Sequence, residues 1–201
     1  MSKDWKGDTN SVYKIIGASN HAVDGERQEE DFYATSPSVL DLFYKYYDIP
    51  KNILECSAGV GHLSEKLKEF GRNVTSWDIV DRGYPLDKVC DFLQQTELPA
   101  NCDCILSNPP YSQAMSFVLH SLELLPNNGQ CIMFLKTTFL EGKERLEKLF
   151  SKYPPKYIYV FSQRQICAKN GIFENVKSSA VSYSFFVWVK GSTSEPIVRW
   201  I

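Results

Sequence analysis

Apolar and polar positions along the chain fall into blocks whose period switches between that of a helix and that of a strand. Residues 1–30 are mostly polar and turn acidic toward "VDGERQEEDF", with only "VYKII" able to pack, so they read as an N-terminal arm or lid ahead of a main domain at 31–201. Ser36-Pro37 reads as a helix N-cap followed by proline at the first helical position. Val39, Leu40, Phe43, Tyr46 and Tyr47 then give that helix an apolar face at spacings of three and four. After Pro50 strands and helices alternate. "NILEC" predicts a short buried strand. "GHLSEKLKEF" predicts a helix that buries Leu63, Leu67 and Phe70 and stops at Gly71. "NVTSWDI" predicts the next strand, followed by a short one at Val89–Phe92 and another at 102–107. "SQAMSFVLHSLELL" predicts a helix closed by "PNNG", "QCIMFLK" a strand, "EGKERLEKLFSKY" a helix and "KYIYVF" a strand. The last strong segment, "SSAVSYSFFVWVKG", is β-branched and aromatic and has no helix after it. Alternation of this kind implies an α/β, doubly wound, mostly parallel sheet with helices on both faces. A final strand without a crossover helix has to pair antiparallel.

Composition changes this picture little. With 201 residues, 43% hydrophobic and 23% charged, the chain suits one ordinary domain with a sizeable core. No apolar run reaches the length of a membrane helix, and the N-terminus lacks the apolar core of a signal peptide, so a cytoplasmic location without membrane association is expected. The six cysteines, at 56, 90, 102, 104, 131 and 167, form no Cys-x-x-Cys, and the three histidines show no ligand spacing. Buried free thiols and no metal are expected. The net charge of −2 argues against a nucleic-acid partner, but its distribution is uneven. Residues 1–100 carry 11 basic against 17 acidic side chains, and residues 101–201 carry 11 against 7. The basic second half can supply a phosphate-facing surface that the total conceals.

Four stretches fall where strands of a parallel sheet end, the edge at which open α/β sheets bind ligands. "LECSAGVGHL" places Glu55, Ser57, Gly59 and Gly61 between a strand and its helix, where glycines let the backbone pass close to a ligand. It is no phosphate loop, since the Lys-Ser/Thr ending is missing. Asp78 follows about 20 positions on, suited to accept from ribose hydroxyls, with Asp81 as a rival. Asp91-Phe92 offers a carboxylate for an exocyclic amine and a ring to pack on a base. The fourth, Asn108-Pro109-Pro110-Tyr111, joins two carbonyl acceptors to an aromatic ring through residues that fix φ and lack amide hydrogens. The Asn108 side-chain oxygen and the Pro109 carbonyl can each accept one hydrogen of a planar amine. That draws its nitrogen toward tetrahedral geometry, while Tyr111 stacks on the ring.

In this order, "LECSAGVG", Asp78, "DF" at 91–92 and "NPPY" resemble the class I S-adenosylmethionine-dependent methyltransferases, and within them the adenine-N6 methyltransferases of DNA. "DFYATSP" resembles the cofactor motif that precedes the glycine loop in one permutation of these enzymes. "GASNH", "DRGY", "FLEGKERLEKLFSKYPPKYIYVFSQR" and "FVWVKG…PIVRWI" are similar to a small phage- and prophage-type branch, so the likeness covers nearly the whole chain. It implies a Rossmann-like sheet of seven strands with an antiparallel last strand, and S-adenosylmethionine as cofactor. The methionine part of the cofactor would meet Tyr33, Thr35 and the loop Glu55–Gly61. Its ribose would meet Asp78 with Ile79 alongside, and its adenine Asp91 and Phe92. The catalytic set would be Asn108, Pro109, Pro110 and Tyr111, around a flipped-out adenine. Lys136, Lys143, Arg164, Lys169 and Lys177 are candidate contacts to the nucleic-acid backbone, and 163–180 a loop closing over the base. The chain departs from the pattern in carrying Cys56-Ser57 where many DNA adenine enzymes have Asp-Pro, and in showing no separate target-recognition domain. Adenine in RNA and a protein glutamine side chain present the same planar amine, and a non-catalytic nucleic-acid-binding protein of the same fold is a further alternative.

Overall fold

The computed structural model describes residues 33–163, 165, 167–169 and 181–201. The arm expected at 1–30, Arg164 and Lys177 lie outside the described residues. An eight-stranded sheet forms the centre, with spatial order β10-β7-β9-β6-β5-β2-β3-β4. Its strands are β2 (Asn52–Glu55), β3 (Asn73–Asp78), β4 (Lys88–Val89), β5 (Cys104–Ser107), β6 (Gln130–Lys136), β7 (Tyr157–Val160), β9 (Tyr183–Val189) and β10 (Ile197–Trp200). A separate antiparallel ribbon joins β1 (Tyr33–Thr35) to β8 (Cys167–Lys169), so part of the segment expected to be an irregular loop is a strand. Among the described residues the longer helical segments are α1 (Ser38–Tyr44), α2 (His62–Glu69), α3 (Ala114–Leu124) and α4, in which Lys143–Arg145 leads into a wide turn at Leu146–Phe150.

Strands β2 to β6 pair parallel, and β9 inserts antiparallel between β6 and β7, as a strand without a crossover helix must. One strand more than the expected seven is present. β10 adds itself parallel to the outside of β7, and all four of its residues are exposed, so no apolar alternation marks it in the sequence. β4 is also shorter than expected. The Asp91 carboxylate accepts from the Leu93 amide at 2.9 Å and caps a short helical turn at Phe92–Gln94, which ends the extended run. Near α1, Pro37 adopts helical angles as expected, but the Ser36 hydroxyl meets Ser38 rather than capping a backbone amide.

Period-two alternation divides the strand residues between two cores. Leu54, Ile105, Met133, Phe186 and Trp188 face α3, where Phe117, Val118 and Leu122 cover them. Ile53, Leu106, Ile132, Phe134, Phe185 and Val187 face the other way, against Val39, Leu40 and Phe43 of α1 and Leu63 and Leu67 of α2. Cys56, Cys102, Cys104 and Cys131 are free and buried, and burial pushes the thiols of all four up. No helix among the described residues is long and apolar enough to cross a membrane.

Candidate functional site

After β2 the chain steps to β3 and β4 on one side, then returns to place β5 on the other side of β2. The order reverses between β2 and β5, the position at which open α/β sheets place a ligand crevice. The glycine loop lies on one flank and Asn108–Tyr111 on the other. Side-chain hydrogen bonds join the two: Ser57 Oγ lies 2.5 Å from Ser107 Oγ and donates to the Asn108 carbonyl at 3.2 Å. From a third direction β1 supplies Thr35, which is buried and whose hydroxyl accepts from Asn108 Nδ2 at 2.8 Å. This bond fixes the plane of the Asn108 amide. Tyr33 is placed by its backbone, opposite Lys169 in the β1–β8 ribbon.

Gly59 and Gly61 both have positive φ, 59° and 82°, as a chain doubling back from strand to helix requires. Asp78 rather than Asp81 faces this loop. Its buried carboxylate accepts from the Gly59 amide at 2.7 Å, the Val80 amide at 2.9 Å and Arg82 at 2.9 Å. Asp81 instead closes a local turn by accepting from the Gly83 amide at 2.8 Å. Ile79, beside Asp78, leaves an aliphatic side chain 60% exposed. Asp91 is brought alongside because the Cys90 amide donates to the Asp78 carbonyl at 2.8 Å.

The side chains of two expected cofactor residues are buried. The Phe92 ring is 2% exposed and packs on Phe117 and His120, with centroids 5.3 and 5.0 Å away. It belongs to the core beneath α3, so this placement does not fit the expected stacking on a base. Glu55 is also buried, with Ser64 of α2 donating to its carboxylate, and Ser64 in turn lies 2.7 Å from Ser76 on β3. Burial raises the Glu55 pKa to about 8 against the lowering effect of the Ser64 bonds, so the acid is largely protonated at neutral pH. In this position Glu55 ties α2 to the sheet.

In the tetrapeptide the Pro110 carbonyl is taken up by the turn into α3, accepting from the Gln113 amide at 2.9 Å. The Pro109 carbonyl makes no hydrogen bond among the described residues. The Tyr111 ring is half-buried and tilted against Tyr183, 6.1 Å between centroids, and the Lys136 ammonium stands 4.7 Å from its centre. Tyr84 is a neighbour of the glycine loop that sequence reasoning passed over. A Cβ added to Gly61 would collide with its ring, and its hydroxyl donates to Glu65 at 2.6 Å. The only hint of it was its place in "DRGY", six residues after Asp78.

No protein-family model matches the chain, and no curated protein matches it in sequence. Solved structures do match in fold. A Listeria monocytogenes protein assigned as a class I S-adenosylmethionine-dependent methyltransferase superposes with a TM-score of 0.58 at 13% identity, over 95% of this chain and 71% of that one. The methyltransferase subunit of a type I restriction-modification system from Streptococcus thermophilus gives 0.56 at 17% identity, over 84% and 47%. A modification subunit assigned to a type I restriction enzyme of Vibrio vulnificus gives 0.58 at 11%, over 96% and 50%. The fold is therefore that of the class I methyltransferases. The chain spans about half the length of the two restriction-modification subunits.

Proposed function

We propose that the protein transfers a methyl group from S-adenosylmethionine to the exocyclic N6 amine of adenine in DNA. The observation that carries this reading is the junction of Asn108–Tyr111 with the glycine loop and Thr35, through Ser57, Ser107 and the Asn108 amide. The crevice chemistry suits a nucleoside cofactor. Asp78 Oδ2, bonded to the Gly59 amide, keeps acceptor capacity for a ribose hydroxyl. Ile79 offers an exposed aliphatic surface to a flat base, and Asp91 a carboxylate beside it.

When bound, S-adenosylmethionine supplies an electrophilic methyl on a sulfonium centre. The chain's own part is to present the amine. The Asn108 side-chain oxygen would accept one amine hydrogen and the Pro109 carbonyl the other. Both acceptors are fixed in advance, one by Thr35 and one by the ring constraint of proline, so they need not reorganise as charge develops on nitrogen. S-adenosylmethionine held by the loop 55–61 and Asp78 would supply the methyl group to the nitrogen lone pair that Asn108 and Pro109 expose, and the surplus amine proton would leave after transfer. Tyr111 would support the base once it has left the stack. The restriction-modification neighbours, though too distant to show more than the fold, favour DNA as the polymer.

Mass spectrometry of nucleosides from DNA incubated with protein and cofactor tests this. N6-methyladenine is the expected product. Asn108→Ala should reduce it by at least about 100-fold, the scale of losing one aligned acceptor, while calorimetric cofactor affinity changes little. Methyl incorporation into protein glutamine alone, or a fully active Asn108→Ala enzyme, would overturn the reading.

A further inference from the structure

Beside Tyr111 the surface opens into a cleft of about 100 Å³, lined among others by Lys136, Thr138, Phe139 and Arg145. Lys136 is the last residue of β6, which pairs parallel with β5, so its ammonium stands at the same strand-end edge as the tetrapeptide. Arg145 reaches the cleft from α4 by folding back on its own loop. Its guanidinium donates to the Glu141 carbonyl and lies 5.1 Å over the Phe139 ring. Gly142 makes this approach possible. It has φ of +116°, and an added Cβ would stand 2.9 Å from Arg145 Nη2.

Charge pairing separates these two cations from their neighbours. On α4, Lys148 is paired with Glu144 at 2.7 Å, and Lys143 faces Glu147 at 3.8 Å. Among the described residues, neither Lys136 nor Arg145 has a carboxylate within ion-pairing distance, and Arg145 Nε is buried without a hydrogen-bond partner. Two unneutralised cations and the Thr138 hydroxyl thus border one small cleft on a chain whose net charge is −2. Their chemistry is that of an anion site: a fork of N–H donors, a compact ammonium and a hydroxyl.

We propose that Lys136, Thr138 and Arg145 form a clamp for one backbone phosphate of the DNA strand, next to the base held at Tyr111. The inference rests on the reading of Asn108–Tyr111 as the target-amine site and adds a second contact to the same substrate. A protein glutamine would bring no anion to this cleft, whereas a nucleotide extruded toward Tyr111 carries phosphates on both sides of its sugar. Lys136 and Arg145 are thereby positioning residues, since the reacting nitrogen touches neither of them.

The test is fluorescence anisotropy of a labelled single-stranded oligodeoxynucleotide, titrated over a series of salt concentrations. The Lys136→Met/Arg145→Gln variant should bind about tenfold more weakly, a loss of ~1.4 kcal/mol. Its plot of log affinity against log salt should flatten by about 0.7, the single-strand value for one phosphate contact. Lys136→Arg should retain the parental slope. Gly142→Ala, which keeps both cations but displaces the guanidinium, should weaken binding in the same direction. Parental affinity and slope in the double variant, with unchanged melting temperature and cofactor affinity, would overturn the clamp. The outcomes separate from those of the methyltransfer assay. Clamp-dependent binding without N6-methyladenine would sink the catalytic reading alone, and methylation with a clamp-independent salt slope would sink the clamp alone.

Discussion

Glu55 holds a carboxyl that is 2% exposed and fastened to Ser64, and burial keeps its proton on to a pH of about 8. In the unfolded chain the same group ionises near its ordinary value of 4.5. Between those two values the folded form holds the extra proton, so this contribution to stability is full below about pH 4.5 and lost as pH rises through about 8. Glu55→Gln keeps the shape and cannot ionise, so it should lose less stability than the parent across that window. Melting temperatures in a pH series would show this, and parallel profiles for the two proteins would contradict it. At this scale the sequence identified the strand-end position of Glu55 but not its burial. The direction of a side chain at a strand end depends on what packs against it, here Ser64 from α2, and no local pattern carries that. The same holds for Phe92, whose type suits a stacking surface but whose ring is claimed by Phe117 and His120.

The glycine loop is the element on which both flanks of the crevice depend. Gly61 is the residue immediately ahead of α2, with φ of +82° and the Tyr84 ring in the space where a Cβ would stand. Gly61→Ala should therefore combine left-handed strain, about 1–3 kcal/mol, with a clash against Tyr84. Urea denaturation would measure the sum. Adding Tyr84→Ala should recover the steric part and leave the strain, so a double variant no more stable than Gly61→Ala would contradict the account. Helices and strands were legible because their periods are distinct, and boundaries held to within a few residues at β2, β3, β5, β6 and β7. The short elements were not. β1 and β8 are three residues each, β10 is exposed throughout, and Asp91 stops β4 by a side-chain cap. In each case the structure comes from pairing or capping by distant or local polar groups, which leaves no alternation to read.

Across the whole molecule β9 is the strand that joins β6 to β7 within the sheet, antiparallel to both. Phe185 in it is fully buried and packs on Phe43, Phe134 and Phe161 with centroids 4.2, 5.1 and 5.8 Å away. Phe185→Ala should cost about 3–5 kcal/mol, seen as a lower denaturation midpoint. A loss below about 1 kcal/mol would mean that the site collapses around the missing ring. By itself the sequence determined the alternation of elements, the doubly wound class, the antiparallel pairing of β9 and the strand-end address of Asn108–Tyr111, because these follow from periodicity and from the fixed φ of proline. Only the tertiary structure decided which candidates meet. The Ser57–Ser107 contact, the Thr35–Asn108 bond and the Gly59–Asp78 bond join residues up to 73 positions apart. Such contacts are set by the order in which strands pair, a property of the folded sheet that no short stretch of chain encodes.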